Sequence, residues 1–277
     1  MQMTQTHSSS LTLDRLEADA RHHALLRDAM SELAPGSGPT HWAQLARASW
    51  THAASLAWDA PVRDWDAVRW SLGWAARLGA AVFQVASGAT GPIEVHLESG
   101  GSSLVARGRG QPQLVGATAW EDAFHAAAIV RDHHALDVLA SHDVESLSVP
   151  VADVLGFDRM WVRLLQSLHW PGHDVAHHVG QVRRALRTLG GDARDPLAAS
   201  MLDLIDCLVD LDSAGFDDAM VIALARHRQR WGHSDAARAD ARGFLARGPL
   251  ALACFANDLG LRLDIVSDYL PRALFEP

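Results

Sequence analysis

The stretch from Gly248 to Pro271, GPLALACFANDLGLRLDIVSDYLP, decides the fold of this chain. Its first half has apolar residues around most of a helical circumference, which indicates a buried helix rather than an amphipathic one. Gly260 is the residue type that most often ends a helix in the left-handed conformation. The segment therefore predicts a central core helix in which Leu252 and Phe255 are buried.

Composition limits the class of protein. Of the 277 residues, 48% are hydrophobic, which excludes an intrinsically disordered chain. All 24 basic residues are arginine, and 33 acidic residues outnumber them, so that the formal net charge is −9. This balance argues against non-specific binding to nucleic acid and predicts that a charged partner is basic.

The chain has no pattern typical of membrane or exported proteins. No run approaches the roughly 18 consecutive apolar residues of a membrane span. The N-terminus has neither the basic region nor the apolar region of a signal peptide. We therefore expect a cytoplasmic protein without a membrane partner.

Helical periodicity dominates the chain. The predicted helices are at about 11–34, 40–58, 62–86, 118–131, 132–141, 153–170, 174–189, 197–213, 216–231, 235–246 and 249–259. Thr118 and Glu121 have the spacing of a capping box at a helix start. The many tryptophans of the N-terminal third are expected to be core and inter-helix contacts.

One segment breaks the helical pattern. Ile93–Glu98 alternates apolar and polar residues, and after a Ser-Gly-Gly turn Ser103–Arg107 is able to pair back as a short hairpin. The expected fold is mainly α: one domain over 1–277 of packed antiparallel helices, with a small β-hairpin insertion near residues 93–107. Residues 1–10 are expected to be a disordered tail.

Sixteen histidines raise the question of a metal site. His173 and His177 are four residues apart and would share a helix face, as the two histidines of a zinc metalloprotease helix do. Asp174 occupies the position of the catalytic glutamate in that motif, and Pro171-Gly172 places His173 at the helix start. We expect no metal and no cofactor.

Motifs for nucleophilic catalysis and phosphate binding are missing from the sequence. It contains no G-x-S-x-G, no G-x-x-x-x-G-K-[ST] and no C-x-x-C. Cys207 and Cys254 lie in apolar helical stretches and are predicted to be small core residues. An enzyme is therefore not expected, although a metal-dependent enzyme stays open as an alternative.

The segment from Asp192 to Asp218 has eight aspartates and one arginine, Arg194. Three of these aspartates, at i, i+3 and i+7, share one helix face, where like charges destabilise the helix. Two interpretations stay open: a plain acidic surface and a partner-binding stripe. The candidate partner-binding residues are Asp203, Asp206, Asp210, Asp212, Asp217 and Asp218.

Several short blocks, taken in order, resemble the immunity protein 49 family, bacterial antidotes found beside polymorphic toxins. These blocks are Ala80–Phe83, Trp120–Ala123, Arg131-Asp132, Leu136–Leu139, Leu208–Phe216, Leu224 with His227-Arg228, Trp231, and the closing Ser267–Pro271. The resemblance covers roughly Trp42 to Pro277.

The resemblance implies a cytoplasmic antidote that binds and blocks a co-encoded toxin without cofactor or turnover. It does not imply which toxin, or which face of the antidote binds it. The acidic stripe suits a cognate toxin with a basic active-site surface, because complementary charge accelerates encounter. A TPR-like helical scaffold for other protein partners stays open as an alternative function.

Overall fold

The computed structural model describes residues 2–3, 24, 28, 39–59, 64–87, 92–96, 103–107, 116–148, 156–170, 172–190 and 196–276. Backbone contacts divide the chain into two compact units, one formed by residues 9–152 and the other by residues 1–8 together with 153–277. The single domain expected over 1–277 therefore stays a prediction. Apart from residues 24 and 28, which are helical, the helix predicted at 11–34 lies outside the described residues.

The mainly α-helical class is confirmed. In chain order, the described strands and α-helices are β1 (Gln2–Met3), α1 (Pro39–Asp59), α2 (Trp65–Ala86), β2 (Pro92–His96), β3 (Ser103–Arg107), α3 (Ala117–Val130), α4 (His133–Ala140), α5 (Phe157–His169), α6 (Val175–Thr188), α7 (Pro196–Asp210), α8 (Ser213–Gly232), α9 (Asp235–Arg238), α10 (Arg247–Asp258), β4 (Val266–Ser267) and α11 (Arg272–Phe275). The predicted hairpin is also confirmed, since β2 and β3 pair antiparallel, with Val95 opposite Leu104.

In the unit formed by residues 9–152, α2 is the central helix and packs against α1, α3 and α4. At Gly79 a Cβ atom would lie only 2.5 Å from the Cβ of Ala123, so the absence of a side chain lets α2 and α3 approach closely. Trp120 is fully buried, and its ring nitrogen donates to the Leu139 carbonyl at 3.0 Å. Trp50 is also buried, and donates to the Asp122 carbonyl at 2.6 Å. Trp50 agrees with the structural role predicted for the tryptophans of the N-terminal third, and Trp120 has the same role outside that segment.

The capping box predicted at Thr118 and Glu121 is wrong. The helix begins one residue earlier, at Ala117, and its cap residue Gly116 makes no side-chain capping hydrogen bond. Thr118 therefore lies inside the first turn, where its hydroxyl does not act as the cap.

In the unit formed by residues 1–8 and 153–277, α10 packs against α7, α8 and α11, as expected for a core helix. Its buried residues are Pro249, Leu250, Ala251, Leu252, Ala253, Cys254 and Ala256. Phe255 is only half-buried, in contrast to the prediction. The reason is its position, because it shares a helix face with the exposed Asp258 and Leu259, three and four residues on.

Three further features of this unit relate to the sequence predictions. Gly260 has φ +83° and follows α10 in the left-handed conformation, as predicted. The helix predicted at 235–246 is interrupted after α9, because Asp240 caps a separate 3-10 turn at Ala241–Gly243. Gln2 and Met3 pair with Val266 and Ser267 in a short parallel β1–β4 ladder. The other residues of the disordered tail expected at 1–10 lie outside the described residues, so that expectation stays a prediction.

Candidate partner-binding surface

Two of the predicted partner-binding aspartates are held by an arginine of the neighbouring helix. Nη1 and Nη2 of Arg183 on α6 both donate to Oδ1 of Asp203 on α7, each at 3.1 Å. Nη2 also donates to Asp206, one turn further along α7. The acidic face of α7 is therefore partly neutralised within the protein.

This ion-pair network is half-exposed. Burial by itself lowers the pKa of Arg183, but the hydrogen bonds and charges of Asp203 and Asp206 outweigh it and leave that pKa above its usual value. The side chains remain 33% (Arg183), 45% (Asp203) and 44% (Asp206) exposed, so water screens the network and it contributes modestly to stability.

Two further predicted aspartates accept hydrogen bonds from backbone amides. Asp212 is the N-cap of α8 and accepts a hydrogen bond from the Gly215 amide at 3.0 Å. Asp217 accepts from the Asp264 amide at 3.2 Å. Burial raises the pKa of Asp217, and the nearby carboxylates of Asp264 and Asp218 act in the same direction.

The remaining two predicted aspartates, Asp210 and Asp218, are exposed. Neither has an ion-pair partner among the residues that the structure describes. They are therefore the members of the predicted stripe whose charge is most available to another molecule. The structure brings the six aspartates onto α7, α8 and the corner between them, but gives them different local roles.

The sequence did not single out the exposed apolar residues at the same place. The side chain of Leu211, in the corner between α7 and α8, is 60% exposed, and those of Val209 and Ile222 are 42% and 48% exposed. Helical periodicity predicted a helix through residue 213, which left Leu211 inside a helix rather than at its end. A pattern of apolar residues between aspartates was the only signal, and it also fits an ordinary helix.

The two cysteines differ in exposure. Cys254 is buried, which confirms its predicted core position, whereas Cys207 on α7 is half-buried. Burial raises the pKa of the Cys207 thiol, and the surrounding aspartates, first Asp212 and then Asp206, raise it further. The thiol is therefore kept in its less reactive protonated form.

The histidines singled out as metal candidates lie at the start of α6. His173 precedes the helix and is exposed, as Pro171-Gly172 suggested. His177 is exposed in the first turn, where the side-chain amide of Gln181 donates to its Nε2 at 2.8 Å. Within the described ranges, no three His, Cys, Asp or Glu side chains are grouped so that they could hold a metal ion.

One serine–histidine cluster has the residue types of a nucleophilic site. His142 is buried and shares hydrogen bonds with the hydroxyls of Ser87 and Ser146, each at 3.0 Å. Burial lowers the pKa of His142. Each hydroxyl is also within hydrogen-bond distance of a backbone carbonyl, Ser87 of Phe83 at 2.9 Å and Ser146 of Asp143 at 2.6 Å. The arrangement ties the end of α2 to the turn after α4, which is a structural role.

Residues that carried the family resemblance meet in a buried cluster. His227 is 5% exposed, donates from Nε2 to the Gly243 carbonyl at 2.9 Å, and lies edge-on to Tyr269, with 5.1 Å between the ring centroids. A side chain at Gly243 would lie 2.7 Å from the Trp231 ring. Burial lowers the pKa of His227 to about 4. The cluster holds α8 against the C-terminal segment and is not a surface site.

Among the residues that the structure describes, no helix combines the length and the apolar character needed to cross a bilayer.

Comparison with known proteins places the chain in a family. A family model described as Immunity protein 49 matches residues 56–274. No curated protein and no solved structure matched the chain. The matched range includes the buried cluster around His227 and all six candidate aspartates. The chain belongs to the immunity protein 49 family.

Proposed function

We propose that this protein is an immunity protein that binds a co-encoded bacterial toxin in the cytoplasm and neutralises it by direct, non-catalytic inhibition. The observation that carries the proposal is the family match over residues 56–274. The buried cluster and the packed helices around it support the exposed residues of α7 and α8, which give the protein a surface with a distinct charge.

The charge of that surface supports a toxin with a basic active-site face. The net charge of the chain is −9, and the exposed Asp210 and Asp218 lie in its most one-signed segment. Toxins that act on nucleic acids or nucleotides need basic residues to bind an anionic substrate, and an acidic antidote surface is complementary to them. Inhibition then requires only that the bound antidote covers the active site.

Protection of living cells tests the antidote role. Cells that express the toxin encoded beside this gene should die, and co-expression of this protein should rescue them. The control is an unrelated immunity protein of similar net charge, which should not rescue. A failure of the full-length protein to protect would contradict the proposed function.

Association kinetics test the role of the acidic surface. The variant Asp210→Asn with Asp218→Asn should associate more slowly with the purified, inactivated toxin at low salt, and its rate should depend less on salt. A matched control removes two carboxylates of the other unit, with Asp66→Asn and Glu145→Gln, and should change the rate less. An unaltered rate in the first variant would make the stripe an ordinary solvated surface.

A further inference from the structure

The two units contain the same helix–helix corner. In the first, α3 ends at Arg131 in the left-handed conformation with φ +56°, and in the second, α7 ends at Leu211 with φ +54°. In both corners the next residue is an aspartate, Asp132 or Asp212, that caps the following helix. The same local backbone is thus built twice with different side chains.

The hydrogen bonds of the two corners are also the same. The Leu211 amide donates to the Leu208 carbonyl at 3.3 Å, and the Asp212 amide donates to the Cys207 carbonyl at 2.9 Å. In the other corner Arg131 and Asp132 make the equivalent bonds at 3.3 Å and 2.9 Å, to Ala128 and Ala127. This is the Schellman ending, in which glycine is the usual left-handed residue because a side chain is strained there.

The corner residues differ in what holds them. Arg131 is half-buried, and its Nη1 donates to the Ile129 carbonyl at 3.2 Å. Leu211 is 60% exposed, so its side chain gains little from burial while the backbone bears the strain of a bulky left-handed residue. For the isolated protein, glycine at position 211 would raise the stability, because it relieves the backbone strain, and would remove an exposed apolar side chain.

An exposed face of α8 begins close to Leu211 in the sequence. Ala214 follows three residues after Leu211, Asp218 and Ile222 follow at further intervals of four residues, and all three are exposed. Val209 is exposed at the end of α7, beside Asp210. The surface therefore has apolar side chains accompanied by carboxylates, which resembles the apolar centre and polar rim of protein–protein interfaces.

We propose that Leu211 is the apolar anchor of the toxin-binding surface, which includes Val209 at the end of α7 and extends along the exposed face of α8 to Ile222. The partner that binds this surface is a face of the toxin with an apolar depression for Leu211. Basic residues at the rim of that depression complement the negative charges of Asp210 and Asp218. This inference rests on the proposed function and adds the place and the chemistry of the contact. A few residues of an interface usually carry most of its binding energy, and Leu211 is proposed as one of them.

The variant Leu211→Gly separates binding from folding. It relieves the backbone strain, so the midpoint of urea unfolding should rise. It also removes the apolar side chain, so the Kd for the purified, inactivated toxin encoded beside this gene should increase about tenfold or more. Ile222→Ser should also weaken binding. The matched control Arg131→Gly changes the equivalent corner of the other unit and should leave the Kd unaltered.

The outcomes are distinguishable. If the wild-type protein binds and protects but Leu211→Gly and Ile222→Ser bind with the wild-type Kd, the anchor is wrong and the antidote function stands. If the wild-type protein does not bind the toxin, both the proposed function and the proposed role of Leu211 are contradicted. If light scattering shows a wild-type dimer that Leu211→Gly dissociates, and the toxin Kd is unchanged, the surface binds a second copy of this chain instead.

Discussion

Arg183 on α6 binds Asp203 on α7 with both terminal nitrogens of its guanidinium, each 3.1 Å from the same carboxylate oxygen. It also binds Asp206. The contact joins two helices and neutralises part of a face that has only aspartates as charged residues in the sequence. A variant without these carboxylates therefore changes folding as well as binding, whereas Asp210 and Asp218 are suited to a test of binding alone.

Arg183→Gln should lower the free energy of unfolding by about 0.5–1 kcal/mol, because a half-exposed ion pair is lost and two carboxylates are left close together. Urea denaturation measures the change. Arg184→Gln, at the exposed neighbouring position, is the control and should have a smaller effect. Equal losses in the two variants would show that the network with Asp203 does not stabilise the fold.

Leu252→Ala should lower the free energy of unfolding by about 2–5 kcal/mol, because Leu252 is fully buried in α10 and its removal leaves a cavity. Phe255→Ala should cost less than the roughly 3 kcal/mol lower bound for a buried phenylalanine, since Phe255 is half-exposed. The exposed Leu259 is the control, and Leu259→Ala should stay within about 0.5 kcal/mol of wild type. A small loss for Leu252→Ala would contradict the core position of α10.

Gly79→Ala should destabilise the protein by about 1–3 kcal/mol, because the added methyl group would lie 2.5 Å from the Cβ of Ala123. The second substitution Ala123→Gly removes that clash and should restore part of the loss. Thermal unfolding of the single and double variants measures both effects.

A matched control exists on α6, where a Cβ at Gly180 would have nothing within 4 Å. Gly180→Ala should therefore raise stability by up to about 1 kcal/mol, the difference in helix propensity. If Gly79→Ala behaved like Gly180→Ala, the close approach of α2 and α3 would be refuted.

His227 should make stability fall as the pH is lowered. Its pKa is about 6.5 in an unfolded chain, and burial lowers it to about 4 in the fold. Between these values the unfolded chain binds the proton and the native protein does not, so the stability present above pH 6.5 is lost progressively down to about pH 4. The full difference corresponds to about 3 kcal/mol.

Urea denaturation at pH 7.5, 6 and 5 measures this effect. His227→Gln retains a donor for the Gly243 carbonyl and should reduce the loss, whereas His233→Gln, at an exposed position, should not. The buried His142 has its pKa lowered as well and acts in the same direction, so some pH dependence should remain in His227→Gln. An undiminished loss in His227→Gln would contradict the assignment.

Local patterns in the sequence determined the features that depend on neighbouring residues. Alternation at Ile93–Glu98 predicted the hairpin, since strand periodicity is a local property. Gly260 predicted the end of α10, because a left-handed residue favours glycine. The continuous apolar circumference of α10 predicted its burial, and the ordered blocks predicted the family.

Only the tertiary structure decided which charges are paired and which side chains are exposed. Arg183 and Asp203 are 20 residues apart, so no pattern at helical spacing brings them together, and only the packing of α6 against α7 does. Leu211 has the periodicity of a helix interior, and its exposed left-handed conformation depends on how α8 turns back after α7. Burial and charge pairing depend on contacts between residues distant in sequence. For that reason the six aspartates, which the sequence grouped as one stripe, have three different roles in the structure. Two pair with Arg183, two accept hydrogen bonds from backbone amides, and two are exposed carboxylates.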